Sequence, residues 1–177
     1  MLIVGSLLAL AGCSDDDSRA SNSAPSETSS TRQSASPSST EAAEQSAVLA
    51  VYARSWHAQA DAYARASSTG TDLRKTTTLR ALGSIEQDLK AMREAGQVTV
   101  GKPVIHPGHP KVMAGEIPKA TLTDCVDTAN WTLIDKATKE KVPLPSTRLV
   151  KYVSTAKFEK WGTKWMVTEL TAQDQSC

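Results

Sequence analysis

The sequence predicts an α+β domain in which two N-terminal helices pack on an antiparallel sheet. Two observations carry this. Apolar residues recur at helical spacing over Glu41 to about Ser67 and again over Thr76–Ala95. After Gly96 the pattern changes to short β-rich segments broken by Pro and Gly, and the last two segments form a hairpin. Helices first and antiparallel strands after is the order of a helix layer on a sheet.

Upstream of the domain, Leu2 to Leu10 is an uncharged apolar stretch that ends in Leu10-Ala11-Gly12-Cys13. About a dozen apolar residues are too few to span a bilayer, which takes roughly 20, but they suit the hydrophobic region of a signal peptide, assigned to 1–12. Leu10-Ala11-Gly12-Cys13 resembles the bacterial lipobox at all four positions. The resemblance implies cleavage before Cys13, diacylglycerol on its thiol and attachment to the outer face of the cell membrane. Each buried methylene contributes about 0.8 kcal/mol, and two or more acyl chains anchor stably where one does not. Signal peptides normally open with Lys or Arg, whereas Met1 is followed by Leu2-Ile3-Val4. The expectation is therefore a start upstream of Met1, or a truncated sequence.

Residues 13–40 read as the lipidated cysteine and a disordered tether. Ser14–Thr40 holds 14 Ser or Thr in 27 residues, with no aromatic or large aliphatic side chain. Such a segment buries too little apolar surface to offset its ordering entropy. As a flexible coil it would hold its ends about 25–30 Å apart.

This leaves 137 residues, 41–177, the size of one domain with a single core. The chain carries a net charge of +1. That balance, with no basic stripe interleaved with aromatics, argues against a nucleic-acid partner. The first helix places Leu49, Tyr52, Trp56 and Tyr63 on one face, and Ser67-Ser68-Thr69-Gly70 breaks it. The second has the stripe Leu79, Leu82, Ile85, Leu89 and Met92, is weakened at Gly83 and stops at Gly96. Val98 and Val100 open a strand, and a Pro/Gly-rich loop follows, from Pro103 to Pro118. Lys119–Ile134 reads as one or two strands turning near Asp127–Asn130, and Asp135–Lys141 as a polar turn. Leu149–Trp161 and Trp165–Thr171 form the hairpin around Gly162-Thr163.

With Cys13 lipidated, Cys125 and Cys177 remain. In an oxidising compartment such a pair tends to bridge. The alternative is a catalytic or metal-binding thiol, but there is no Cys-x-x-Cys pair and no His near either cysteine in sequence.

The segments Ala120-Thr-Leu-Thr-Asp-Cys125-Val-Asp127 and Lys164-Trp165-Met-Val-Thr-Glu169, with the terminal Cys177, resemble exported actinobacterial lipoproteins of unknown function carrying a nuclear transport factor 2-like, or cystatin-like, cone domain. The resemblance spans roughly Glu41 to Cys177. It implies the cone fold, with the two helices on a curved antiparallel sheet, and a Cys125–Cys177 disulfide, but no activity, because that superfamily holds isomerases, hydrolases and non-catalytic binding domains alike.

A cone fold implies a pocket between helices and sheet, and Tyr52, Trp56, Asp124, Asp127, Trp131 and Tyr152 are the residues expected to line it. Asp124 or Asp127 with Tyr52 or Tyr152 would supply the acid and base of a cone-fold isomerase or hydrolase acting on a small hydrophobic ligand. The simpler reading makes the aromatics core, Asp127 a turn-former and Asp124 a solvated strand residue, so no catalytic set is assigned. His106 and His109, with only Glu116 near, read as part of a proline-rich loop, and His57 as a partly exposed helix residue; no metal or other cofactor is expected. Lys136–Lys164 has eight bases and two acids. It reads either as a patch for anionic envelope polymers or as edge-strand lysines that discourage aggregation. The expected function is a non-catalytic binding or interaction domain of the cell envelope. Its expected partners are the lipid bilayer through Cys13 and an anionic envelope polymer or envelope protein. A cell-wall accessory role is the other non-enzymatic reading.

Overall fold

The computed structural model describes residues 38–177. The expected signal peptide, Cys13 and the tether up to residue 37 lie outside the described residues. Among the described residues no helix is long and apolar enough to cross a membrane.

Helix α1 runs Ser39–Arg65, about 40 Å at 1.5 Å per residue. It begins two residues before the expected start because Ser38 caps it: the Ser38 hydroxyl accepts from the Glu41 N–H at 3.2 Å. It ends at Ala66, whose φ of 51° is left-handed. A single-turn helix, α2 (Leu73–Thr76), follows in the expected break. Leu73 is fully buried and pins it to α1 and α3. Helix α3 (Leu79–Glu94) buries Ala81, Ile85, Leu89 and Met92. Leu79, expected in that stripe, is 57 % exposed. It sits at the first turn with φ 48°, where the chain has not yet joined the helical face.

The strands are β1 (Gln97–Gly101), β2 (Val104–Pro107), β3 (Lys111–Met113), β4 (Lys119–Asp127), β5 (Trp131–Asp135), β6 (Lys151–Trp161) and β7 (Lys164–Ala172). The main sheet is antiparallel in the order β2-β4-β6-β7, with β3 also on β4. The segment expected to be a loop thus supplies two short edge strands. Val104–Pro107 pairs with Asp124–Asp127, and Lys111–Met113 with Lys119–Thr121. Prolines permit this because an edge strand need not donate on both sides. Strand β5 leaves the main sheet and pairs with β1. Gly101 makes that close approach possible. Its φ is 77°, and a Cβ there would lie 1.8 Å from the Asn130 carbonyl oxygen.

Alternation along β4 buries Ala120, Leu122, Asp124 and Val126 on one face. These meet Val48, Val51, Tyr52 and Trp56 of α1, with Ala156 and Phe158 of β6 and Trp165 and Val167 of β7. The molecule is therefore α+β, with N-terminal helices packed on an antiparallel sheet. A bulge at Lys157/Phe158 adds to the bend of the sheet. Cys125 takes the alternate register and is bonded to Cys177, 52 residues on. The C-terminal tail is also tied to β6, where Val153 donates to the Gln175 carbonyl and accepts from Gln173.

Candidate functional site

Between α1, α3 and strands β5–β7 lies a cleft of about 210 Å³. Helical spacing sets one wall: Trp56, Gln59 and Tyr63 follow one another on α1 at three and four residues, so their side chains share a face. Ser84, Ile85 and Asp88 of α3 form the second wall. Trp131, Tyr152, Ser154 and Leu170 complete it from the strands. Past Tyr63, Asp88 and Trp131 the cleft continues into a depression of about 300 Å³ that adds Leu133, Leu144 and Arg148.

The rings form a connected set. Trp56 meets Trp131 edge-on at 6.3 Å, and Tyr63 meets Trp131 at 5.1 Å. Trp131 is fixed from behind by its Nε1–H, which donates to Thr99 Oγ1 at 3.0 Å. Tyr63 donates its hydroxyl to Asp88 Oδ2 at 2.6 Å. Burial, then this hydrogen bond, hold the Tyr63 phenol far above its usual range.

Behind the Trp56 layer sits a buried polar pair. Tyr52 is fully buried and Asp124 is 2 % exposed. The Tyr52 hydroxyl donates to Asp124 Oδ2 at 2.7 Å, and the His106 backbone N–H donates to Asp124 Oδ1 at 2.6 Å. Burial raises the Asp124 carboxyl above its ordinary range, opposed by the two hydrogen bonds. It also pushes Tyr52 up, with the Asp124 charge adding to the effect. Neither residue lines the cleft.

The six residues expected to share a pocket therefore divide. Trp56, Trp131 and Tyr152 line the cleft, Tyr52 and Asp124 are sealed behind it, and Asp127 stands apart. Asp127 Oδ1 accepts from the Ala129 N–H at 2.8 Å and Oδ2 pairs with Lys151 at 3.0 Å. The turn N–H, then Lys151, hold its carboxyl below the ordinary range. It is the turn-former of the simpler reading. Asp124, by contrast, is not the solvated strand residue of that reading. Gln59, Ser84 and Asp88 are cleft residues that the sequence did not single out. Gln59 was readable as the residue three past Trp56 on the same helix. Nothing local marks Ser84 or Asp88, because α3 meets α1 only through the fold.

His57, His106, His109 and Glu116 are exposed. Among the described residues no three His, Cys, Asp or Glu side chains cluster as metal ligands would. The basic segment is partly neutralised, since Lys151, Lys157 and Lys160 pair with Asp127, Glu169 and Glu44. Arg148 donates to Thr128 Oγ1.

No family model and no curated protein matches the chain. Among solved structures it is similar to the intermembrane space region of the chloroplast protein ARC6, at TM-score 0.48 and 11% identity over 75% of this chain and 97% of that one. It is also similar to a Nostoc punctiforme protein of unknown function with a cystatin-like fold, at TM-score 0.39 and 9% identity over 76% and 91%. The fold class stands on the elements described above and not on these likenesses.

Proposed function

We propose that this protein is a lipid-anchored lipoprotein of the extracytoplasmic face of the cell membrane, and that its domain is a non-catalytic binding domain of the cell envelope. The anchoring rests on the apolar stretch ending at Cys13 and the Ser/Thr-rich tether. The Cys125–Cys177 disulfide supports it, since such bonds persist in oxidising compartments.

The observation that carries the non-catalytic reading is the position of Asp124. It is the one buried carboxylate of the expected pocket set. Both its oxygens are occupied by internal donors, and it does not border the cleft. A general base must reach the proton it takes, directly or through one water. The cleft presents aromatic rings, short polar side chains and the exposed Asp88 carboxylate, whose Oδ2 is taken up by the Tyr63 hydroxyl, a lining that suits recognition. A cell-wall accessory role built on the basic strands is weaker, because three of the eight bases of Lys136–Lys164 are already paired with carboxylates.

The test compares the parent with Cys13→Ala in a bacterial host. The parent is expected in the membrane fraction with a diacylglyceryl mass on Cys13, and the variant in the soluble extracytoplasmic fraction. Equal membrane partition of the two, with no lipid on the parent, would overturn the anchoring. Free thiols at Cys125 and Cys177 in exported protein would remove its support from the disulfide.

A further inference from the structure

Three large apolar side chains are exposed together at one end of the domain. Met113, Ile117 and Trp161 are 49 %, 49 % and 44 % exposed. Strand register brings them close. Met113 of β3 lies beside Lys119 of β4, and Lys119 beside Glu159 of β6. One step further on, Lys160 donates its N–H to the Pro118 carbonyl at 2.9 Å, which sets Ile117 level with Trp161. The cluster therefore sits at the tips of two adjacent hairpins, β3–β4 and β6–β7.

The chain enters the domain at this same end. Ser38 and Thr40 border a groove with Ala114, Pro118 and Trp165. Glu44 accepts from Trp165 Nε1 at 2.7 Å and pairs with Lys160, so the start of α1 is fixed to the β6–β7 hairpin. The segment that leads back to Cys13 thus departs beside the exposed tips.

Charges at this end are matched. It carries the bases Lys111, Lys119, Lys160 and Lys164 and the acids Glu41, Glu44, Glu116 and Glu159. Lys119 pairs with Glu159 and Lys160 with Glu44. The Trp161 Nε1–H donates to Glu159 Oε2 at 3.1 Å. Lysine stems can lie along an apolar surface while their ammonium groups stay in water. Exposed tryptophan and aliphatic side chains without net charge fit the water–lipid boundary, where tryptophan rings concentrate. They fit an anionic polymer poorly.

We propose that this end of the domain rests on the bilayer, with Trp161, Ile117 and Met113 seated among the headgroups of zwitterionic lipid. Three side chains alone hold a membrane weakly, and the anchor at Cys13 supplies the rest. A short flexible tether presents the tips to the lipid at an effective concentration roughly in the millimolar range. The other end of β6, at Lys151, then points away from the membrane. This deepens the lipid-anchored reading and rests on it.

The experiment uses the full chain coupled through Cys13, the one thiol outside the Cys125–Cys177 bond, to a maleimide-bearing lipid in phosphatidylcholine vesicles. Chemical coupling makes the result independent of whether a cell acylates Cys13. Brominated acyl chains quench any tryptophan seated in the boundary. Trp56 and Trp165 are buried, so the quenching belongs to Trp161. It is expected in the parent, absent in Trp161→Phe, and at least about threefold smaller in Ile117→Asp and in Met113→Asp. Both positions are exposed, so their melting temperatures are expected to stay level. Val150→Asp puts the same charge on another exposed side chain beyond the far end of β6, about 35 Å away at 3.3 Å per residue, and should quench as the parent does. Raising salt from about 0.05 to about 0.5 M should leave the quenching unchanged, because no net charge holds the tips down. No quenching in the parent, undiminished quenching in Ile117→Asp and Met113→Asp, equal loss in Val150→Asp, or a marked loss with salt would each overturn the proposal. A Cys13 without lipid in the cellular test would overturn the anchoring and leave the vesicle result as it stands.

Discussion

Replacing Tyr52 by Phe removes one oxygen from the middle of the core and little else. The ring remains packed edge-on against Trp56 at 6.2 Å and Phe158 at 6.0 Å, so no cavity of consequence opens. What changes is Asp124 Oδ2, which loses its donor at 2.7 Å and has no water to replace it at 2 % exposure. Stranding a buried, charged acceptor gives an expected loss of about 2–3 kcal/mol at pH 7, or roughly 5–10 °C in melting temperature for a domain of this size. The loss also depends on pH. Burial raises the folded-state pKa of Asp124 above its ordinary value. The folded state therefore holds a proton that the unfolded state has released, and stability falls as pH rises between the two values. The Tyr52 hydrogen bond opposes that rise, so removing it lifts the folded pKa further and extends the window upward. The deficit of Tyr52→Phe against the parent should grow as pH climbs through this window and shrink toward acid pH. Urea unfolding of both proteins from pH 4 to pH 8 measures it. A deficit below about 0.5 kcal/mol at pH 7, or one independent of pH, would refute the assignment of Tyr52 and Asp124 as an interdependent buried pair.

Three further variants test the frame around the cleft. Gly101→Ala places a methyl 1.8 Å from the Asn130 carbonyl oxygen at φ 77°; a loss above about 3 kcal/mol is expected in chemical denaturation, with the β1–β5 amides losing protection from hydrogen exchange. Gly83→Ala on α3 meets nothing within 4 Å and should raise stability by up to about 1 kcal/mol, read as a higher urea midpoint at unchanged slope. The double replacement Cys125→Ser with Cys177→Ser opens a loop of 52 residues. Chain entropy sets its cost at about 4 kcal/mol, and the tail paired with Val153 should lose exchange protection first.

Much of the secondary structure was legible because it is local. The α1 face and the α3 stripe follow from spacing alone, and the β6–β7 hairpin from two β-rich runs around Gly162. Misreadings occurred where long-range pairing overrode local composition. Val104–Pro107 and Lys111–Met113 look like loop because prolines and glycines surround them, yet β4 offers its edge and they take it. The α2 turn exists because Leu73 finds a hole between α1 and α3. Leu79 keeps the helical period but sits before the helix meets the sheet.

The candidate site was half legible for the same reason. Tyr52 and Trp56 announce themselves as aromatic residues on a helix face. Asp124 lies in an alternating strand whose buried face is fixed by register, and sequence alone left open whether it faced water or core. Register with β2 and packing under α1 place it against Tyr52 and the His106 N–H. Gln59 is unremarkable as one more polar residue in a helix until the fold closes around its amide.

Composition and local spacing by themselves determined the apolar stretch ending at Cys13, the Ser/Thr-rich tract, the order of helices before strands and the pair of cysteines left to the domain. Each depends on residues near one another along the chain. Tertiary structure alone decided that β5 joins β1, that Asp124 is sealed, that Asp127 is only a turn, and that Trp56 and Gln59 are buried beside a cleft. Burial and partnership are properties of distant segments brought together, and no window of sequence contains both sides of such a contact.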